Sequence, residues 1–119
     1  MPEYTGSCHC GAVTYRVELE LGPVIACNCS MCGRSGTLLT FVPPEQFTLL
    51  SGEHQLGSYT FNRHIITHHF CTTCGIKPFA RGKKDDGTPM VAINARCLDG
   101  LDVSALEVRQ VDGRSFKSA

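Results

Sequence analysis

Seven of the eight cysteines in this chain fall into three tight clusters: Cys8-His9-Cys10, Cys27-Asn28-Cys29-Ser30-Met31-Cys32 and Cys71-Thr72-Thr73-Cys74. No other feature of the sequence constrains the fold as strongly. Neighbouring ligands separated by one or two residues share one ion readily, whereas a disulfide across so short a loop is strained. A secreted scaffold with four disulfides therefore fits poorly. The N-terminus, Met1 to Ser7, also carries neither the basic nor the apolar segment that directs export. The expected setting is cytoplasmic, where thiols stay reduced.

The clusters supply two, three and two thiols. Spacing alone does not say which of them join, but ligand count favours one division. Four thiolates close a tetrahedral zinc site, and three leave one position open to water or substrate. Cys8, Cys10, Cys71 and Cys74 make the closed set, stapling the first strand to a distant hairpin. Cys27, Cys29 and Cys32 make a local tripod for a second Zn2+. In the alternative, Cys97 or a histidine completes the tripod and both sites are structural. Each cluster ends in Cys-Gly (Cys10-Gly11, Cys32-Gly33, Cys74-Gly75). Glycine at positive φ turns backbone N–H groups toward a sulfur and offsets its charge.

At 119 residues the chain is expected to form one domain spanning 1–119, with a modest core. Eleven basic and eleven acidic residues cancel, so no field draws in nucleic acid or an anionic membrane surface. Uncharged apolar stretches fall far short of the ~20 residues a membrane span needs.

Apolar segments are short, rich in β-branched and aromatic residues, and bounded by turn formers. From Ala12 to Leu19, Val13, Tyr15, Val17 and Leu19 alternate with Thr14, Arg16 and Glu18, the pattern of a half-buried strand. Further strands are predicted at 37–42, 47–50, 56–61, 65–70, 90–95 and 106–111. Helix is expected only as short turns at 28–36 and 44–47. An all-β folded sheet with little helix follows, its ends secured by metal.

Other residues invite roles. Arg34, two positions after Cys32, is a candidate cation for an anionic substrate. Cys97 reads as a core thiol at a strand end. His68 and His69 face opposite ways on one strand, and the simplest expectation is one buried and one solvent-facing. Either can support a zinc thiolate or donate a proton to an alkoxide. His9 reads as an exposed loop residue. Phe41, Phe47, Phe61, Phe70 and Phe79 are assigned to the core, and 83–87 to a solvated turn.

The motifs Gly6-Ser-Cys8-His-Cys10-Gly-Ala12, Cys27-Asn-Cys29-Ser-Met-Cys32, His69-Phe-Cys71-Thr-Thr-Cys74-Gly75 and Asn94-Ala-Arg-Cys97-Leu-Asp-Gly100 resemble the glutathione-dependent formaldehyde-activating family, which includes the centromere protein V domain. The resemblance runs from about Gly6 to Asp102. It implies the β-tent, a Mss4-like folded sheet. It implies a structural zinc on Cys8, Cys10, Cys71 and Cys74 and a catalytic-type zinc on Cys27, Cys29 and Cys32. It implies a carbon–sulfur lyase that makes or breaks S-hydroxymethylglutathione, with a small-molecule thiol or thiol–aldehyde adduct as partner. The chain is shorter than the glutathione-dependent enzyme itself, so metal chemistry carries over more directly than substrate. The rival expectation is a non-catalytic zinc module that binds a protein. An open fourth position in a cleft distinguishes the enzyme from the module.

Overall fold

The alternation at Val13, Tyr15, Val17 and Leu19 holds in the structure, a computed structural model that describes residues 1–61 and 63–113. All four side chains are buried, none more than 4% exposed. The first half of the chain forms β1 (Glu3–Ser7), β2 (Thr14–Glu18), β3 (Val24–Cys27), a single helical turn α1 (Cys32–Ser35), β4 (Leu39–Val42) and β5 (Phe47–Ser51). The second half forms β6 (Leu56–Tyr59), β7 (Thr67–Cys71), β8 (Phe79–Lys83), β9 (Pro89–Asn94) and β10 (Val108–Val111). The fold is all-β, with helix confined to α1 and short 3-10 turns among the described residues.

The strands form two sheets. The smaller is three-stranded, in the order β1-β2-β5, and the larger is seven-stranded, in the order β10-β3-β4-β9-β8-β7-β6. β10 lies parallel to β3, whereas the pairs from β4 to β6 are antiparallel. The core sits between the sheets, where Tyr15 of β2, Phe47 of β5 and Phe79 of β8 meet at centroid distances of 4.7–5.9 Å. Burying each such ring contributes roughly 2–3 kcal/mol.

Cross-strand register assigns the faces of the large sheet. Thr40, Ile93, Phe79, His69 and Ser58 form a row on the inner face, against the small sheet. Phe41, Ala92, Ala80, His68 and Tyr59 form the adjacent row on the opposite face. His68 and His69 do point opposite ways, yet both are buried, at 6% and 8% exposure. The sequence expectation of one solvent-facing histidine is corrected, because the outer face is covered here too. Phe41, expected in the core, is 42% exposed, since its row faces away from the small sheet.

The expected strands are all present. Three others, β1, β3 and β8, were not anticipated. Pro44 ends β4 by opening a 3-10 turn, Pro44–Gln46, where an amide is not needed for pairing. Among the described residues no helix is long and apolar enough to cross a membrane.

Candidate metal centres and their clefts

Cys8 and Cys10 lie in the β1–β2 connection, Cys71 ends β7, and Cys74 follows in the next turn. Small sheet and large sheet thus each bring two thiols to one point. The four sulfurs lie within 4.8 Å of one another. Cys10 Sγ stands 3.6 Å from both Cys8 Sγ and Cys71 Sγ. Two sulfurs on one tetrahedral zinc, each at about 2.3 Å, stand about 3.8 Å apart, so the set fits such an ion.

Backbone amides converge on these sulfurs. Val13 N–H donates to Cys8 Sγ at 3.3 Å, and Cys74 N–H to Cys71 Sγ at 3.5 Å. The amides of Ile76 and Cys10 lower Cys74 to about 6, and the Cys74 amide lowers Cys71. At Cys10 the Ala12 amide favours the thiolate, but desolvation and the neighbouring thiols outweigh it and push the group up to about 11. The thiols compete for negative charge, and a bound cation relieves that competition. Gly11 and Gly75 have φ of 81° and 82°, as their place after Cys10 and Cys74 requires. Gly33 does not share this conformation because it lies inside α1; the positive φ falls at Gly36, which ends the turn.

The second cluster is local. Cys27 ends β3, Cys32 opens α1, and Cys29 lies between them. Their three sulfurs also lie within 4.8 Å of one another. Cys29 N–H donates to Cys27 Sγ at 3.5 Å and Cys32 N–H to Cys29 Sγ at 3.3 Å. Among the described residues no further Cys, His, Asp or Glu joins this group. Cys97 lies elsewhere, in the 3-10 turn after β9, where burial and the nearby charges of Cys8 and Cys74 push it up to about 11. It is half-buried and faces the first cluster, rather than completing the second.

Residues that sequence reasoning passed over complete the tripod's surroundings. Parallel pairing of Val111 with Cys27 brings the chain back over the cluster. The Gly113 amide thereby favours the Cys27 thiolate against a stronger upward push from burial. A Cβ on Gly113 would fall onto the Cys27 sulfur. Burial pushes Cys32 up to about 11, while the Thr37 hydroxyl and the Lys77 charge pull it the other way. Lys77 is itself lowered by burial and held up by Cys32 and Cys29. Asn94 Nδ2 donates to the Lys77 carbonyl at 3.0 Å and fixes that segment. Spacing gave no hint of Lys77, because it approaches the tripod from across the sheet.

Among the described residues, two cavities flank α1. One, of about 500 Å³, lies between the clusters and is lined by Ser35, Thr37, Lys77, Asn94, Arg96 and Cys97 among others. His9 also lines it. The other, of about 440 Å³, is lined by Ser30, Met31, Arg34, Ser35, Tyr59 and Phe61. Arg34 is exposed there, and its Nη1 donates to the Ser30 carbonyl at 3.0 Å. Phe61, expected as core, is only half-buried and forms part of that wall.

An all-β fold fastened by four thiols and carrying a separate cluster of three defines a small cysteine-rich protein able to hold two metal ions. Residues 3–110 match the family described as glutathione-dependent formaldehyde-activating enzyme, and the chain belongs to that family. It is also similar to a Rhodobacter sphaeroides protein of known crystal structure, with 28% identity and a TM-score of 0.76. That match covers 88% of this chain and 99% of the other.

Proposed function

We propose that this protein is a zinc-dependent carbon–sulfur lyase acting on a thiol–aldehyde adduct in a reducing, cytoplasmic setting. The observation that carries this reading is the inequality of the two clusters. One holds four thiols and the other three, and residues beside the smaller set line both flanking cavities, Ser30 and Met31 the one and Thr37 the other, which Cys8 of the larger set also lines. Cys8, Cys10, Cys71 and Cys74 would hold a structural zinc; Cys27, Cys29 and Cys32 would hold the second. Bound there, zinc supplies a Lewis acid that keeps an incoming sulfur in the thiolate form.

The chain's own residues supply the rest. Lys77 and Arg96 place two cations on the wall of the cleft, suited to an anionic thiol. Lys77, partly desolvated, favours negative charge on an oxygen more than a solvated lysine would. In cleavage the adduct's O–H bond and C–S bond break, a C=O bond forms, the sulfur leaves with the electron pair as thiolate, and the proton passes to solvent water. In synthesis the same bonds reverse. Family membership supports the reaction class.

The test is optical. In cobalt-substituted protein, a small thiol at millimolar concentration should perturb the thiolate-to-cobalt charge-transfer bands, and Cys29→Ser should abolish the effect. Lys77→Met should weaken the response to an anionic thiol more than Arg34→Ala does. If no thiol perturbs the bands, the lyase reading fails and a non-catalytic zinc module takes its place.

A further inference from the structure

The segment that leaves α1 is pinned on both sides of one residue. Arg96 Nε donates to the Gly36 carbonyl at 3.1 Å. Leu38 N–H donates to Asn94 Oδ1 at 3.4 Å, and Ala95 N–H donates to the Leu38 carbonyl at 2.7 Å. Thr37 stands between these anchors, held against the end of β9 and only 4% exposed. Its own hydroxyl stays outside the network: Oγ1 is buried and has no hydrogen-bond partner among the described residues. A buried hydroxyl without a partner costs stability, so an unpaired one on backbone this well fixed calls for a partner from outside the fold.

Position identifies that partner. Thr37 lines the 500 Å³ cavity. It also stands beside the tripod, where its hydroxyl favours the Cys32 thiolate without meeting the geometry of a hydrogen bond to it. Lys77, on the same cavity wall, acts on Cys32 and Cys29 through its charge. The cavity therefore reaches the tripod at Thr37 and Lys77. Sulfurs sharing one tetrahedral zinc stand about 3.8 Å apart, so a ligand sulfur in the fourth position is an immediate neighbour of Cys32 Sγ. An oxygen one carbon from that sulfur falls within the same short radius of Cys32 that the Thr37 hydroxyl occupies. A neutral hydroxyl suits an alcohol oxygen and leaves the carboxylates of an anionic ligand to Lys77 and Arg96.

We propose that Thr37 binds the carbinol oxygen of the adduct held at Cys27, Cys29 and Cys32. The proposal rests on the lyase reading and identifies the residue that distinguishes an adduct from its parent thiol. Thr37 Oγ1–H donates to that oxygen. The carbinol's own O–H stays free to lose its proton to solvent water, and the bond from Thr37 strengthens as negative charge builds on the oxygen.

The experiment separates the oxygen from the sulfur. One arm follows exchange between formaldehyde and the S-hydroxymethyl adduct of mercaptoacetate on zinc-loaded protein, by nuclear magnetic resonance exchange spectroscopy. The other measures mercaptoacetate affinity from the charge-transfer bands of cobalt-substituted protein. Thr37→Val, which keeps the shape and removes the hydroxyl, should lower kcat/KM for the adduct roughly tenfold, the size of one net hydrogen bond, with mercaptoacetate affinity unchanged. Thr37→Ala should lose the same factor, and Thr37→Ser should retain most of the wild-type rate. An unchanged rate in Thr37→Val and Thr37→Ala overturns the assignment while leaving the lyase reading intact. A parallel loss of mercaptoacetate affinity or of zinc also overturns it, since the hydroxyl would then serve the Cys32 sulfur. Absence of exchange in wild type overturns the lyase reading and the assignment with it.

Discussion

Removing one thiol from the four-cysteine site should destabilise the fold far more than removing one from the tripod, because the two sites close loops of very different length. Cys10 is the informative position, since it is exposed and its replacement by serine leaves the packed core untouched. Its sulfur meets that of Cys71 across 61 residues of chain. A cross-link over such a loop removes about 4 kcal/mol of unfolded-state entropy, against about 2 kcal/mol for the five-residue span from Cys27 to Cys32. Total stability of a domain this size is about 5–15 kcal/mol. Cys10→Ser should therefore lower the Tm by roughly 15 °C, and Cys29→Ser by about half as much. Differential scanning calorimetry on each variant, paired with zinc analysis, measures both effects. Equal shifts, or an unchanged Tm for Cys10→Ser with its zinc lost, would refute the reasoning that the first site works as a long-range staple.

Gly113→Ala should displace the Cys27 sulfur and lower zinc content toward one ion per chain while far-ultraviolet dichroism stays near that of wild type; retention of both ions would contradict the close approach of Gly113 to Cys27. His68 gives a pH signature. Its folded pKa of about 4 lies below the ordinary 6.5, so the unfolded chain takes up the proton first and stability falls as pH drops through that window. The loss reaches up to ~1.4 kcal/mol per pH unit. Denaturation of wild type and His68→Gln from pH 7 to 4.5 should show wild type losing stability relative to the variant, and parallel profiles would count against a neutral, buried His68.

The sequence reveals the strand pattern where alternation is strong, as at Val13, Tyr15, Val17 and Leu19, because one face of β2 is buried and the other is not. It reveals the thiol sets because ligand spacing is a local property. β3 escapes notice since Val24, Ile25, Ala26 and Cys27 form a continuous apolar run ending in a ligand, without alternation. β8 escapes notice because Ala80 and Gly82 face the covered outer side with hardly any side chain. Lys77 and Gly113 reach the tripod from segments distant in sequence, which no local spacing encodes, whereas Thr37 reaches it from only five residues past Cys32. The burial of His68 likewise depends on Phe61 folding back over β7.

The central claim is that the two clusters hold metal in different ways, one closed by protein and one open. Anomalous scattering from crystals at the zinc edge tests this most directly, since it counts ions and locates their ligands together. The account predicts two peaks, one surrounded by Cys8, Cys10, Cys71 and Cys74, the other by Cys27, Cys29 and Cys32 with a non-protein atom in the fourth position. A single peak, or a second peak whose fourth ligand is a side chain of this chain, would contradict it.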